Sequence, residues 1–476
     1  APSAFAPVLA GATLNLGLYG IVRVNAELMP ATSAAPGLIA LIVGTLSALV
    51  GILYATTEND LKTLLAHSSI ENAGIITAGL GAGFSFAATG HAALAAMAFV
   101  VALYHMANHS VYKTLLFIGS GTVEAAAGTR DLDRLGGLIR RMPWVAAAVL
   151  VGVLSIAALP PFNGFVSEWL TLQTFLRSAE LSSVGVKIVF ALCGAGLALT
   201  AALAVTCFAK LYAMGFLGVA RSEAADGARE GHPAALAAMA LLAVFCLALG
   251  VLPTYALGAL DRVAVPLTGQ SAAAVLVPPF FAGARGHEQL PPAFLQDFHD
   301  IGAQVGQTVA PGPGLVILHR GGAANPVVFA ASPTYLVLVL AGSLLLVFGI
   351  IWLAGGKRRS VVRRVCWDGG IRRLLPEMTY TATGFSNPVR VVFQAVFRPR
   401  VIEDTREAVA EHFRTAIRRE VQAVYVVDRL VLLPAASAML WVARTLARMH
   451  HGRLNAYLAY VLVALMAVLL WMQQAH

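Results

Sequence analysis

Residues 104–117 read Tyr104-His-Met-Ala-Asn-His-Ser-Val-Tyr-Lys-Thr-Leu-Leu-Phe117 and form a polar series within an apolar stretch. Three ionisable side chains in it, His105, His109 and Lys113, follow one another at intervals of four residues. This spacing puts them on one face of a helix, over about 12 Å of its axis. Charged groups at membrane depth are expensive and usually line an interior path or pair with one another. The pattern therefore predicts a helix whose ionisable face serves as a proton relay.

The composition predicts an all-α polytopic membrane protein. Of the 476 residues, 58% are hydrophobic and only 12% are charged, whereas about 25% are charged in an average soluble domain. The four cysteines show no CxxC spacing, which argues against a disulfide framework or a metal cluster. No CxxC pair, P-loop, HExxH or strand-preceded GxGxxG is present, so we expect no cofactor on this chain and redox centres on partner chains.

About nine apolar runs are long enough to cross roughly 30 Å of hydrocarbon. They cover residues 5–24, 36–55, 62–83, 91–122, 143–177, 186–217, 233–253, 333–353 and 454–473. Two of these runs are too long or too interrupted to be plain helices. The fifth run contains Pro160, Pro161 and Gly164 and must break, because proline lacks a backbone donor and clashes with the preceding turn. A broken helix at membrane depth is tolerated where it lines a polar cavity, and Glu168 follows the break.

Basic residues are distributed unequally between the loops. The segments near 56–61, 123–142, 218–232 and 354–453, which alternation places on one side, together hold many Lys and Arg, all of them in the last three segments, whereas the alternate loops hold only Arg262, Arg285 and Arg320. The positive-inside rule therefore predicts that the basic side is cytoplasmic. The net charge of +9 is then a topology signal and a contact surface for anionic lipid or a partner, and it does not imply nucleic acid.

The basic segment 354–453 contains a predicted helix over about 403–448. Its first part alternates charged residues with apolar ones, and the stretch after Pro434 is more apolar. Two interpretations stay open: a lateral amphipathic helix lying on the membrane surface, or a soluble helix packed on a partner subunit. Lys210, near the end of the sixth run, is expected to anchor that end at the membrane interface.

Three motifs in this order resemble the proton-conducting antiporter-like membrane subunits. They are Thr57-Glu-Asn-Asp-Leu-Lys-Thr-Leu-Leu-Ala-His-Ser-Ser-Ile-Glu-Asn-Ala-Gly74, the His105/His109/Lys113 series, and Ala158-Leu-Pro-Pro-Phe-Asn-Gly-Phe-Val-Ser-Glu168. Such subunits occur in respiratory complex I, Mrp-type Na+/H+ antiporters and group 4 [NiFe] hydrogenases. Residues 135–144 and the tail 367–390 are similar to the large membrane subunit of hydrogenase-4 and formate hydrogenlyase.

The resemblance implies a fold of antiporter-like repeats, each with a broken helix. Residues 1–35 would hold the last helix of a first, otherwise absent repeat, and 36–217 a second repeat of five helices with the proton path. Residues 218–353 would add two helices and a long external loop, 354–453 the basic cytoplasmic segment with its lateral helix, and 454–476 a C-terminal transmembrane helix. The chain begins with Ala1 almost directly at a span, so we expect an incomplete or processed N-terminus, or a separately encoded first half.

The same resemblance implies roles for individual side chains. Lys113 would be the middle proton carrier, with His109 and His105 passing protons along the helix face. Glu168 would be the terminal carrier, or a cap of the half-helix after the break. Lys62 would link proton uptake to the central axis. His67 and Glu71 would feed a cytoplasmic half-channel, or form a local structural pair.

The expected function is proton translocation in a membrane-bound hydrogenase or formate-hydrogenlyase-like complex. The chain would not be an enzyme by itself and would have other membrane subunits and a peripheral iron–sulfur arm as partners, in the cytoplasmic membrane of a prokaryote. The alternatives are a subunit of an Mrp-type antiporter, an antiporter-like subunit of complex I, and a non-conducting membrane anchor.

Overall fold

Apolar helices make up most of the protein, which confirms the predicted all-α polytopic membrane fold. The computed structural model describes residues 5–28, 33–272, 333–354, 378–397, 400–403, 419–422, 432–448 and 454–474. The chain divides into two compact units, Ala1–Val389 and Arg390–His476. Each unit is described by itself.

The first unit is a series of helices. They are α1 (Ala6–Val8), α2 (Leu14–Val22), α3 (Ala35–Thr57), α4 (Leu61–Ala88), α5 (Ala92–Ala127), α6 (Pro143–Ile156), α7 (Asn163–Leu176), α8 (Val184–Phe216), α9 (Glu223–Asp226), α10 (Pro233–Val251), α11 (Pro253–Thr268), α12 (Pro333–Ala354) and α13 (Ala382–Val392). Two π-helical segments, Leu9–Thr13 and Arg23–Leu28, extend α1 and α2 into one run. Short 3-10 turns cover Leu138–Arg140 and Arg177–Glu180.

Five helical runs among the described residues are long and apolar enough to cross a membrane. They are Ala6–Leu28, Ala35–Thr57, Ala92–Ala127, Val184–Phe216 and Pro233–Val251. The total of nine spans stays a prediction. The sequence predicts that the fourth span, like the fifth, is too long or too interrupted for a plain helix; this is wrong, since it is one continuous helix of 36 residues, α5. The fifth is divided into α6 and α7, with the Pro160–Pro161 peptide bond, in the cis form, between them.

Small residues bring α3 and α4 into close contact. A Cβ atom added to Gly74 would lie 2.4 Å from the backbone nitrogen of Ala48, a separation that real Cβ atoms do not show. Without a hydrophobic driving force between helices in lipid, such backbone approach is the main source of helix association. Helix α5 packs against α4 as well as α6, α7, α10 and α11, so most of its length is enclosed by protein.

Polar contacts connect segment 379–386 of the tail to the loops at one end of the helices. The Asp133 carboxylate accepts hydrogen bonds from Ala382 N at 2.6 Å and from Thr383 Oγ1 at 2.7 Å, and so caps the start of α13. Asn59 Nδ2 donates to the same carboxylate at 3.0 Å. Asn59 stands next to Asp60, which caps α4 by accepting from Lys62 N and Thr63 N. The tail and the start of α4 therefore share one hydrogen-bonded cluster.

Arg221 supports this cluster from the loop after α8. Its Nη1 donates to the carbonyl oxygens of Leu132, Leu135 and Met214 at 3.0, 3.1 and 2.8 Å. Burial lowers the pKa of the Arg221 guanidinium, and the nearby Asp133 carboxylate opposes that shift. Because arginine keeps its charge far above neutral pH, it remains a donor to these carbonyl groups under all working conditions.

The second unit corrects part of the predicted helix over 403–448. Arg400–Glu403 and Arg419–Gln422 form an antiparallel pair of strands, with Arg400 opposite Gln422 and Glu403 opposite Arg419. Helix α15 covers Leu433–Arg448, and residues 404–418 and 423–431 lie outside the described residues. The β-branched residues Val401, Ile402 and Val421 favour extended backbone. The helix was predicted from the alternation of charged and apolar residues, which does not take this preference into account. Two more helices, α14 (Gln394–Phe397) and α16 (Leu454–Gln474), complete the unit.

Removal of the Asp133 carboxylate should reduce the protection of α13 against hydrogen exchange. We expect Asp133→Ala to raise the hydrogen-exchange rate of the α13 backbone amides about fivefold, because a lost N-cap weakens a helix by about 1 kcal/mol. Exchange of peptides covering 382–392, measured by mass spectrometry on the full chain in its membrane, checks this. Asp226→Ala is the matched control, since that carboxylate pairs at the surface with Arg141. Equal exchange rates in wild type and Asp133→Ala would contradict the capping role.

Candidate functional site

One face of α5 carries a continuous set of buried ionisable and polar side chains. His105, His109 and Lys113 are each 0% exposed. Because α5 is unbroken over Ala92–Ala127, the four-residue spacing does place the three on one face. The elements that cover this face are α4 on one side and α7 on the other.

Lys113 is held by α4. Its Nζ donates to the carbonyl oxygen of Leu65 at 2.8 Å and makes a second, short hydrogen bond to Ser68 Oγ. Glu71, one turn beyond Ser68, is 1% exposed and interacts electrostatically with Lys113. The lysine therefore points into the protein, and its ammonium group does not reach outward in the way that an interfacial lysine does.

Asn72 links α4 to α5 through its side-chain amide. Its Oδ1 lies 2.5 Å from Tyr112 OH and 3.2 Å from His105 Nε2, both on α5. Its Nδ2 donates to the carbonyl oxygen of Ser68 at 2.8 Å and reaches Glu71 Oε2 at 3.4 Å. On the opposite side, His105 Nδ1 lies 2.8 Å from Ser167 Oγ of α7. The imidazole of His105 thus bridges α4 and α7.

His109 stands between His105 and Lys113 with both ring nitrogens buried and with no hydrogen-bond partner among the described residues. Its ring lies edge-on to that of Tyr112, with the centroids 5.8 Å apart. It interacts electrostatically with Lys113 and His105. Leaving a buried donor or acceptor unsatisfied is costly, so the geometry calls for water at this position.

The break between α6 and α7 is fixed by close backbone packing. A Cβ atom added to Gly164 would lie 1.8 Å from the carbonyl oxygen of Ser155, so only glycine fits at this position. Two buried amides then tie the break to α5: Asn108 Nδ2 donates to Asn163 O at 3.0 Å, and Asn163 Nδ2 donates to Asn108 Oδ1 at 3.2 Å. Helix α5 and the break are therefore held together one turn from His105.

Glu168 is half-buried and lies on α7 beside Ser167. Helix α7 begins at Asn163 and its first turn holds no acidic residue. The alternative reading of Glu168 as the cap of this half-helix is therefore wrong, because the carboxylate lies beyond the free N–H groups of the first turn. Glu168 interacts electrostatically with Glu71 and with Tyr112, which brings it to the same polar set as Lys113.

The remaining predicted residues lie toward the start of α4. Lys62 is half-buried and stands six residues before Ser68, which is about 9 Å along the helix axis. His67 is half-buried and its ring lies 5.8 Å from that of Tyr54. Glu71 accepts a hydrogen bond from Asn72 Nδ2 at 3.4 Å, and the roles of His67 and Glu71 stay predictions.

The position of Lys210 differs from the interfacial anchor position that the sequence predicted. The side chain is 0% exposed, and its Nζ donates to Thr56 O at 2.7 Å, Glu58 O at 2.5 Å and Ser386 Oγ at 3.1 Å. These carbonyl groups close the C-terminal end of α3, where a cation is favourable. Lys210 therefore fastens the tail residue Ser386 to the end of α3, and the anchor interpretation is wrong.

Several site residues were not singled out by sequence reasoning. They are Leu65, Ser68, Asn72, Asn108, Tyr112, Asn163 and Ser167. The sequence feature that could have identified them is the presence of small polar residues inside apolar helices. Ser68 and Asn72, for example, are four residues apart and so lie on one helix face. Among the described residues, no group of three or more His, Cys, Asp or Glu side chains is arranged to hold a metal ion.

Comparison with known proteins places these features in a family. Residues 1–197 match the family described as NADH:quinone oxidoreductase/Mrp antiporter, transmembrane. Hydrogenase-4 component B of Escherichia coli K12 is 31% identical over 479 residues, which is 99% of this chain and 64% of that protein. Formate hydrogenlyase subunit 3 of the same organism is 39% identical over 259 residues, 53% of this chain and 41% of that subunit.

A solved structure supports the fold. A chain of the archaeal membrane-bound sulfane sulfur reductase complex superposes with a TM-score of 0.62 at 18% identity, covering 98% of this chain and 63% of that chain. This protein thus spans a little under two thirds of hydrogenase-4 component B and of that chain. The motifs, the buried face of α5 and these similarities lead to one conclusion: the chain belongs to the NADH:quinone oxidoreductase/Mrp antiporter family, as an antiporter-like membrane subunit similar to those of hydrogenase-4 and formate hydrogenlyase.

Proposed function

We propose that this chain translocates protons as a membrane subunit of a hydrogenase or formate-hydrogenlyase-like respiratory complex. Protons would move through Lys113, His109, His105 and Glu168, with Lys62, His67 and Glu71 on the uptake side. Pro160, Pro161 and Gly164 would form the break that exposes backbone groups to this path. Redox chemistry on partner subunits would drive the movement.

The burial of Lys113 is the observation that carries this proposal. Placing an ionisable side chain in a low-dielectric interior is unfavourable, and intramembrane ionisable residues are functional by default. The two partners of Nζ are a carbonyl and a hydroxyl oxygen. A neutral amine still has two N–H donors, so both contacts survive deprotonation. The site can therefore hold the lysine in either protonation state, as a carrier requires.

A route on both sides of Lys113 supports the same reading. On α4, Glu71 lies within electrostatic range of Lys113 and hydrogen-bonds to Asn72. Along α5, His109 stands between Lys113 and His105, and His105 reaches Ser167, the neighbour of Glu168. Water at the unpartnered nitrogens of His109 would complete the chain of hydrogen bonds.

Partners and location follow from the similar proteins. Hydrogenase-4 and formate hydrogenlyase are the enzymes named for the similar E. coli subunits. We therefore propose that other membrane subunits and a peripheral iron–sulfur arm complete the complex in a prokaryotic cytoplasmic membrane, with the basic loops on the cytoplasmic side. Within this chain, residues 36–217 would be the antiporter-like repeat that holds the path, preceded by the last helix of a first repeat.

Lys113 variants test the relay. We expect Lys113→Ala and Lys113→Arg both to lower proton translocation at least tenfold, since alanine cannot carry a proton and arginine does not release one at working pH. Proton uptake into membrane vesicles that contain the assembled complex is the measurement.

Lys187→Ala is the control, because Lys187 lies half-buried at the start of α8, outside the polar set. Wild-type translocation by an assembled Lys113→Arg complex would overturn the relay and favour a non-conducting anchor.

Glu168 offers a second test at the other end of the path. We expect Glu168→Gln to lower translocation at least tenfold while the complex still assembles, because the amide keeps the size of the side chain but cannot exchange a proton. Glu180→Gln is its control, as Glu180 pairs at the surface with Arg177. A similar loss of translocation in both variants, or in neither, would count against Glu168 as the terminal carrier.

The partner assignment is tested by purification. A tag on this chain should co-isolate subunits that contain nickel and iron, detected by mass spectrometry and metal analysis. Isolation without any redox subunit, together with Na+-dependent pH changes in vesicles that hold this chain alone, would instead identify an autonomous antiporter. Relatives named as Na+/H+ antiporter subunits make this comparison necessary.

A further inference from the structure

Ser167 faces His105 from the first turns of α7. The serine is 0% exposed, and its Oγ lies 2.8 Å from His105 Nδ1, 3.1 Å from Gly164 O and 3.3 Å from Asn163 O. Building on the proposed proton path, we propose that Ser167 is the positioning residue that allows His105 to bind and release a proton at Nδ1, by turning its hydroxyl between the imidazole and the carbonyl oxygens that follow the helix break.

The first step is the tautomer of His105, which Asn72 determines. The amide of Asn72 lies 2.8 Å from the carbonyl oxygen of Ser68. A carbonyl oxygen only accepts, so the amide nitrogen must face it and Oδ1 must face the other way. Oδ1 lies 3.2 Å from His105 Nε2. Because Oδ1 only accepts, Nε2 carries a hydrogen whenever His105 is neutral.

The second step follows from the first. With Nε2 occupied by hydrogen, His105 can gain or lose a proton only at Nδ1, and Ser167 Oγ is the partner of Nδ1 among the described residues. When His105 is neutral, the hydroxyl donates to Nδ1. When His105 is protonated, Nδ1–H donates to Oγ, and the hydroxyl hydrogen turns to Gly164 O or Asn163 O. Both states are then fully hydrogen-bonded.

Removing the hydroxyl would affect the two states unequally. A hydrogen bond to a charged group is worth more than one to a neutral group, so its loss disfavours protonated His105. Asn72 on α4 and His109 on α5 interact with this imidazole and stay in place. The other titratable groups of the polar set also stay in place: they are Glu71 on α4, Lys113 and Tyr112 on α5, Glu168 on α7, and Cys246 on α10, which interacts with Tyr112.

The test is the pH dependence of proton translocation in vesicles that contain the assembled complex. We expect Ser167→Ala to shift the pH–rate profile by about one unit toward acidic pH, whereas Ser167→Thr, which keeps a hydroxyl, should retain the wild-type profile.

Thr171→Ala is the matched control. Its hydroxyl donates to Ser167 O at 2.9 Å, one turn further along α7, and it is 3% exposed. An unchanged profile in Ser167→Ala, or an equal shift in Thr171→Ala, would each overturn the proposal. If Ser167→Ala does not assemble, Ser167→Cys, with its weak S–H donor, should give an intermediate shift, and an unshifted profile would overturn the proposal.

The experiments distinguish a failure of the proposed role of Ser167 from a failure of the proposed function. If Lys113→Arg abolishes translocation and Ser167→Ala leaves the pH profile unchanged, the relay stands and only the role of Ser167 is lost. If Lys113→Arg translocates normally, the relay itself is wrong.

Discussion

The burial of one lysine sets the requirements for the rest of this structure. Lys113 lies on a helix enclosed by protein, so its amine must find acceptors inside the bundle, and it finds them on the neighbouring backbone and hydroxyl of α4. That requirement fixes the register of α4 against α5. The close approach of α3 at Gly74 holds α4 from its other side, so the residues that receive the lysine cannot retreat from it.

Helix α4 consequently links the site to the tail of the first unit. Its N-terminus is capped by Asp60, the neighbouring Asn59 shares Asp133 with Thr383, and Lys210 joins the end of α3 to Ser386. Further along, the same helix provides Leu65, Ser68 and Asn72 to the buried face. Helix α4 therefore contacts a surface cluster at one end and the buried polar face of α5 further along.

The sequence predicted the fold class and the ionisable side chains because both depend on local signals. Hydropathy reports membrane helices, and a four-residue interval reports a shared face, so His105, His109 and Lys113 could be grouped without coordinates. The partners of these residues could not be predicted, because Ser68, Asn72 and Ser167 come from other helices and belong to residue types common in any helix interface. Lys210 was misread for the same reason: its acceptors lie on α3 and in the tail. The strand pair at 400–403 and 419–422 was not predicted, because the alternation of charged and apolar residues was given more weight than the number of β-branched residues.

Asn72 stands between two groups of buried ionisable side chains, although it is not ionisable itself. Its amide binds Glu71 on one side and His105 on the other, yet an amide does not exchange protons readily, so it orients both groups without passing a proton between them. On the proposed path, Lys113 and Glu71 would then form one part, and His105, Ser167 and Glu168 the other. Among the described residues, His109 and Tyr112 are titratable groups of α5 that stand between the two parts; Tyr112 donates to Asn72, whereas the nitrogens of His109 have no protein partner. On the proposed path, passage of a proton from Lys113 to His105 would involve His109, whose buried nitrogens are not occupied by another protein group.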